Sequence, residues 1–105
     1  MRPAWDLLYG ANADLILNGH DHFYERFAPQ TPDGVADPAL GIREFIAGMG
    51  GKSRFAIPNI APNSEVRDNS FFGVLELTLR QAGYEWRARA APTGHVVDSG
   101  SGRCH

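Results

Sequence analysis

The strongest constraint on the fold lies in the last third of the chain, where apolar and polar residues alternate. Leu75, Leu77 and Leu79 alternate with Glu76, Thr78 and Arg80, and Tyr84, Trp86, Ala88 and Ala90 alternate with Glu85, Arg87 and Arg89. Extended backbone sends successive side chains to opposite faces, so each run buries one face and wets the other. Gln81-Ala82-Gly83 between them is turn chemistry, and the whole predicts an antiparallel hairpin. The leucine row opposite Tyr84 and Trp86 is its core, and Arg87 and Arg89 form a solvated stripe. Pro92-Thr93-Gly94 then turns the chain into a short strand near Val96-Val97, with His95 exposed in the turn.

Upstream, Pro3 suits a first helical turn, and Ala4, Leu7, Leu8 and Ala11 follow the spacing of one apolar helix face. This predicts a helix over 3–11, ended by Gly10 and Asn12. Leu15-Ile16-Leu17 reads as a strand covered on both faces, and Phe45-Ile46-Ala47 as a buried strand that ends at Gly48-Met49-Gly50-Gly51. That glycine-rich stretch is either a plain turn or a backbone cradle for phosphate; with no Lys-Ser/Thr signature or helix after it, the plain turn is favoured. Pro29 to Pro38 is a surface loop. Residues 52–70 lack periodicity and read as one long loop, of the kind that forms lids and binding walls.

Composition excludes several functions. The formal net charge is −2 and the pI near 6.0, so no basic field exists for nucleic acid or an anionic membrane. No run approaches the roughly 18 apolar residues of a membrane span, and no signal-peptide layout opens the chain. At 105 residues the chain fits one small domain close to the stability margin. Cys104 is the sole cysteine, so it either pairs outside the chain or stays a free thiol, the latter favoured.

Chemistry concentrates at Gly19-His20-Asp21-His22, directly after the first apolar strand. Two imidazoles one residue apart in extended structure point to the same side, within reach of one metal ion or two adjacent ones. Imidazole suits zinc, iron or manganese. Gly19 allows a sharp turn and close backbone approach. Asn18 fixes the turn, Tyr24 packs its ring behind the site, and Arg26 helps to hold the loop. Glu25 and Arg26 form an ion pair or backbone brace, and Asp21 is a loop hydrogen-bonder. Asp6 and Asp14 are solvating residues, and Cys104-His105 is a tail whose two side chains diverge.

The string from Asp14 to Arg26 resembles the last motif block of the calcineurin-like metallophosphoesterases, most closely their purple-acid-phosphatase-like bacterial branch. Residues Ile42 to Gly51 resemble the strand and glycine-rich turn that follow in that branch, Phe72 to Leu79 with Tyr84-Glu85-Trp86 its closing hairpin, and Asp98 to His105 its tail. The resemblance implies an α+β fold: the C-terminal half of an α/β/β/α sandwich, mostly antiparallel strands with one N-terminal helix. It further implies that residues 1–105 are the C-terminal portion of a catalytic domain that hydrolyses phosphoric esters.

In that family the first His of the motif ligates one ion of a binuclear centre and the second His the other, so His20 and His22 are implied ligands of two different ions, of zinc, iron or manganese. Asn18, Gly19, Tyr24 and Arg26 would support them. The other ligands come from upstream Asp-x-His, Gly-Asp and Gly-Asn-His blocks, none of which occurs here. The chain by itself is therefore expected to be inactive, to pair with a missing N-terminal half or with itself, and to come from a secreted or periplasmic protein whose leader it lacks. The contrasting expectation is a non-catalytic β-rich module that binds a metal or a partner.

Overall fold

The structure, a computed structural model, describes residues 2–51 and 60–105. One helix, α1 (Arg2–Gly10), precedes seven strands: β1 (Leu15–Asn18), β2 (Tyr24–Phe27), β3 (Arg43–Ala47), β4 (Ser64–Asp68), β5 (Gly73–Leu79), β6 (Gly83–Ala90) and β7 (His95–Arg103). They form a four-stranded sheet of order β1-β3-β2-β4 and a three-stranded sheet of order β5-β6-β7. β1 runs parallel to β3, and every other pairing is antiparallel. No described helix is long and apolar enough to cross a membrane.

The hairpin forms in the register its alternation demands, with Leu75 opposite Ala88, Leu77 opposite Trp86 and Leu79 opposite Tyr84. Leu75 and Leu77 pack on a core of Tyr24, Phe45, Met49, Tyr84, Trp86 and Ala88 drawn from both sheets, whereas Leu79 at the strand end is 72% exposed. Phe45 meets Trp86 edge-on at 5.3 Å between ring centroids, a favoured aromatic geometry. Phe23, Phe27 and Ile46 form a second cluster. Glu76 bridges Arg87 and Arg89 on the outer face, as a solvated stripe should.

Several elements depart from the sequence expectation. Ser64–Asp68 is a strand, not loop: β4 pairs with β2, and its single apolar residue, Val66, is too little for a local pattern to reveal. Residues 52–59 of the expected loop lie outside the described residues. β1 is an edge strand bonded on one side only, and Leu17 is 54% exposed, so it is not covered on both faces. In α1 the expected buried face looks outward, with Leu7 76% exposed; the partly covered residues are Trp5 and Tyr9, whose hydroxyl donates to Asp37 at 2.8 Å.

The third strand of the second sheet is nine residues long rather than a short piece at Val96-Val97. Its glycines hide it from propensity, yet they are what the packing needs. Gly100 faces Trp86 and Gly102 faces Tyr84 across the ladder, and each large ring lies over the missing side chain. A Cβ at Gly100 would fall 2.3 Å from the Trp86 ring, which is itself buried and unable to yield. Gly100→Ala is therefore expected to cost about 1–3 kcal/mol and to lower the thermal midpoint by several degrees in circular dichroism. An unchanged midpoint would show that Trp86 is not seated on this glycine.

Candidate functional site

His20 and His22 sit on the five-residue link between β1 and β2, so one edge strand delivers them and one interior strand takes over directly after them. His20 is exposed and His22 half-buried. At the β1 end, Asn18 Nδ2 donates to Glu44 Oε2 on β3, which ties the last residue before the link to the neighbouring strand. Within the link, Phe23 N donates to Asp21 O at 2.9 Å, closing a tight bend through His22.

The glycine that permits close backbone approach is Gly48, not Gly19. Gly19 has no positive φ, and a Cβ there would meet Ala47 O at an ordinary 3.5 Å. At Gly48 a Cβ would lie 1.9 Å from Asp21 O and 2.7 Å from Gly19 O, both backbone atoms of the histidine link. Gly48 N also donates to Phe23 O at 3.1 Å. The glycine-rich stretch after β3 is thus a turn that backs the histidines. Its neighbouring Met49 is buried, and Met49 O accepts from Gly73 N at 2.7 Å, so these backbone groups serve β2 and β5.

Tyr24 and Arg26 open β2 and point between the sheets. Tyr24 is fully buried; its ring packs against Phe71, and its hydroxyl donates to Asp98 Oδ2 on β7 at 2.6 Å. Arg26 donates to the same carboxylate through Nε at 2.8 Å and Nη2 at 3.2 Å, and Trp86 Nε1 adds a fourth bond at 3.2 Å. Arg26 also pairs with Glu65, as does Arg43 at 2.7 Å, and both guanidiniums lie over the Trp86 ring, 5.1 and 4.8 Å from its centroid. Glu25, expected to pair with Arg26 or brace the backbone, points to the opposite face of β2 and accepts from Ser64 Oγ at 2.5 Å. Adjacent residues of a strand cannot share a face.

Electrostatics follow this geometry. Burial pushes the Asp98 carboxyl up, but the bonds from Arg26 and Tyr24, the Arg26 charge and the Trp86 bond outweigh it, leaving the group below its ordinary range. The Tyr24 phenol is raised by burial and by its bond to Asp98. Glu44 is raised by burial and by the nearby Glu25 and Asp21 charges, with Asn18 opposing. The C-terminal tail does not diverge into solvent: His105 N donates to Asp14 Oδ1 at 2.8 Å and its ring Nε2 lies 3.0 Å from Gly41 O. Asp14 thus anchors the tail, while Cys104 is an exposed free thiol. Among the described residues no group of three or more His, Cys, Asp or Glu is arranged to hold a metal ion. Asp98, Glu44 and Gly48 have no signal in the local sequence, since each acts on a segment far along the chain.

Two sheets with one short helix, and a histidine link at the end of a parallel edge strand, define the class: in sequence and fold the chain corresponds to the C-terminal part of a metallophosphoesterase-like protein. Its relatives are purple acid phosphatases. It is 35% identical over 106 residues to purple acid phosphatase 21 of Arabidopsis thaliana, a match covering 93% of this chain and 24% of that protein. It superposes on the structure of purple acid phosphatase PPD1 from yellow lupin (Lupinus luteus) seeds with a TM-score of 0.80 and 28% identity, over 92% of this chain and 19% of that one. The chain therefore spans about a quarter or less of the length of these relatives. No family model matches it.

The Asp98 pKa sets a pH dependence. A carboxyl whose folded pKa lies below the unfolded value of about 3.9 contributes stability that is complete above that value and disappears as pH falls through the folded pKa. Thermal midpoints of wild type and Asp98→Asn measured from pH 6 to pH 3 should therefore differ most at pH 6 and converge in acid. A constant gap across the range would remove the charged clamp from the account.

Proposed function

We propose that the chain supplies the Gly-His-x-His ligand pair of a metal-dependent phosphoric ester hydrolase, with His20 and His22 each giving one imidazole nitrogen to a different ion of a binuclear centre of zinc, iron or manganese. The observation that carries this reading is that the two histidines stand on a link braced from β3 by Glu44 and Gly48 and followed at once by the buried start of β2, in a chain whose relatives are purple acid phosphatases. Two imidazoles suit such ions but are too few for a closed site, which generally takes four ligands. Lewis-acid polarisation of a phosphoryl group and relief of its developing charge are what the ions supply when bound. The residues of this chain hold and orient: Asn18 and Gly48 fix the link, Tyr24 and Arg26 fix the strand behind it, and the remaining ligands belong to segments outside this chain.

The same reading gives the open edge of β1, with exposed Leu7, Leu8 and Leu17 nearby in sequence, to further protein, either the upstream half of a longer enzyme or a second copy. It also makes the parent protein secreted or periplasmic. A non-catalytic β-rich module that binds a metal or a partner is the second reading, in keeping with the two sheets that make up most of the described chain.

Zinc titrated into the 105-residue chain in a calorimeter should bind weakly, and His20→Ala/His22→Ala should abolish the isotherm. The chain alone should not hydrolyse p-nitrophenyl phosphate with zinc, iron or manganese, whereas a longer form bearing upstream carboxylate ligands should, and either single His variant should remove most of that turnover. Metal-dependent turnover by the short chain that survives His20→Ala would overturn the reading. A zinc isotherm unchanged in the double variant would do the same for the ligands.

A further inference from the structure

We propose that Asp98 is the positioning residue of the histidine link, acting from the opposite sheet through Tyr24 and Arg26; this rests on the reading of His20 and His22 as metal ligands. The Asp98 carboxylate accepts four hydrogen bonds, three at Oδ2 from Tyr24, Arg26 and Trp86 and one at Oδ1 from Arg26. Three of the four bonds converge on Oδ2, which fixes the orientation of a side chain only 10% exposed. Three of these bonds come from the first three residues of β2, which begins two residues after His22. Two residues of chain span at most about 7 Å, so whatever fixes Tyr24 confines the His22 backbone.

The strands on either side are bent to serve this node. The ladder between β6 and β7 shifts register between Ala88 and Arg89, leaving Val97 as the extra residue beside Asp98. The ladder between β2 and β4 shifts between Arg26 and Phe27, leaving Glu65 as the extra residue. Bulges re-aim side chains and are frequent beside active sites. Here the two bulges turn two acids, from two sheets, onto the one guanidinium of Arg26. Removing one partner of such a pair leaves the other charge uncompensated, so the node both stabilises the packed sheets and imposes a geometry on the head of β2.

The test compares wild type with Asp98→Asn, which keeps size but loses the charge and an acceptor, and with Tyr24→Phe, which removes one bond only. Ile42→Ala, which truncates a fully buried side chain outside both hydrophobic clusters, is the control for lost stability. Two quantities are read well below each thermal midpoint: the dissociation constant for zinc alone, and the ring resonances of His20 and His22 in metal-free protein. Asp98→Asn should weaken zinc binding by about tenfold, the lower end of what outer supports of a metal site give, and should move the His22 ring resonances. Tyr24→Phe should act in the same direction and non-additively with Asp98→Asn, while Ile42→Ala should leave both readouts at wild type. Equal effects from Asp98→Asn and Ile42→Ala, or unmoved His22 resonances in Asp98→Asn, would reduce Asp98 to a structural residue. If His20→Ala/His22→Ala leaves zinc binding intact, the ligand assignment fails, and the ring resonances still decide whether Asp98 positions the link.

Discussion

One carboxylate joins the two sheets by directional bonds. Apolar packing of Phe45, Met49, Tyr84 and Trp86 makes the sheets adhere, but such contacts are non-directional and tolerate sliding. The bonds from Tyr24 and Arg26 to Asp98 do not, because each has a required distance and angle. Arg26 and Arg43 extend the node across the Trp86 face and down to Glu65, so strands β2, β3, β4, β6 and β7 all contribute a residue to one polar cluster within an apolar core. Every buried side-chain polar atom among the described residues has a partner, as a cluster of this kind requires.

The histidine link is fixed by this frame rather than by its own sequence. Asn18 and Glu44 hold its start, Gly48 lies beneath it, and Tyr24 carries its end onto Asp98. The link is thus held at both ends and from beneath by residues of β1, β2 and β3 and by the turn that follows β3. Within the link His20 is exposed and His22 half-buried.

What the sequence made legible was whatever repeats locally. The alternation of residues 75–80 and 84–90 predicts the β5–β6 hairpin and its leucine row opposite Tyr84 and Trp86, and the apolar runs predict β1 and β3. β2 and β4 escaped, since Tyr-Glu-Arg-Phe and Ser-Glu-Val-Arg-Asp gain strand character only from partners up to tens of residues away. The sequence predicts only a fragment of β7 because glycine opposes strand propensity, and the rings of Trp86 and Tyr84 show why Gly100 and Gly102 belong there. Likewise His20 and His22 stand out by spacing, while Gly48, which lies against the link, and Asp98, which binds the head of β2, are ordinary residues until the fold brings distant segments together.

The central claim is that the link is held in place from below and behind, and Gly48→Ala tests it most directly. The added methyl has no room between Gly48 and the backbone oxygens of Asp21 and Gly19, so the link must move while the paired sheets remain. Amide and histidine ring resonances of the variant should shift strongly at residues 19–23 and 47–49 and stay near wild type in β5, β6 and β7. Resonances of residues 19–23 that match wild type would contradict the account, because they would mean that the histidines do not depend on the turn drawn beneath them.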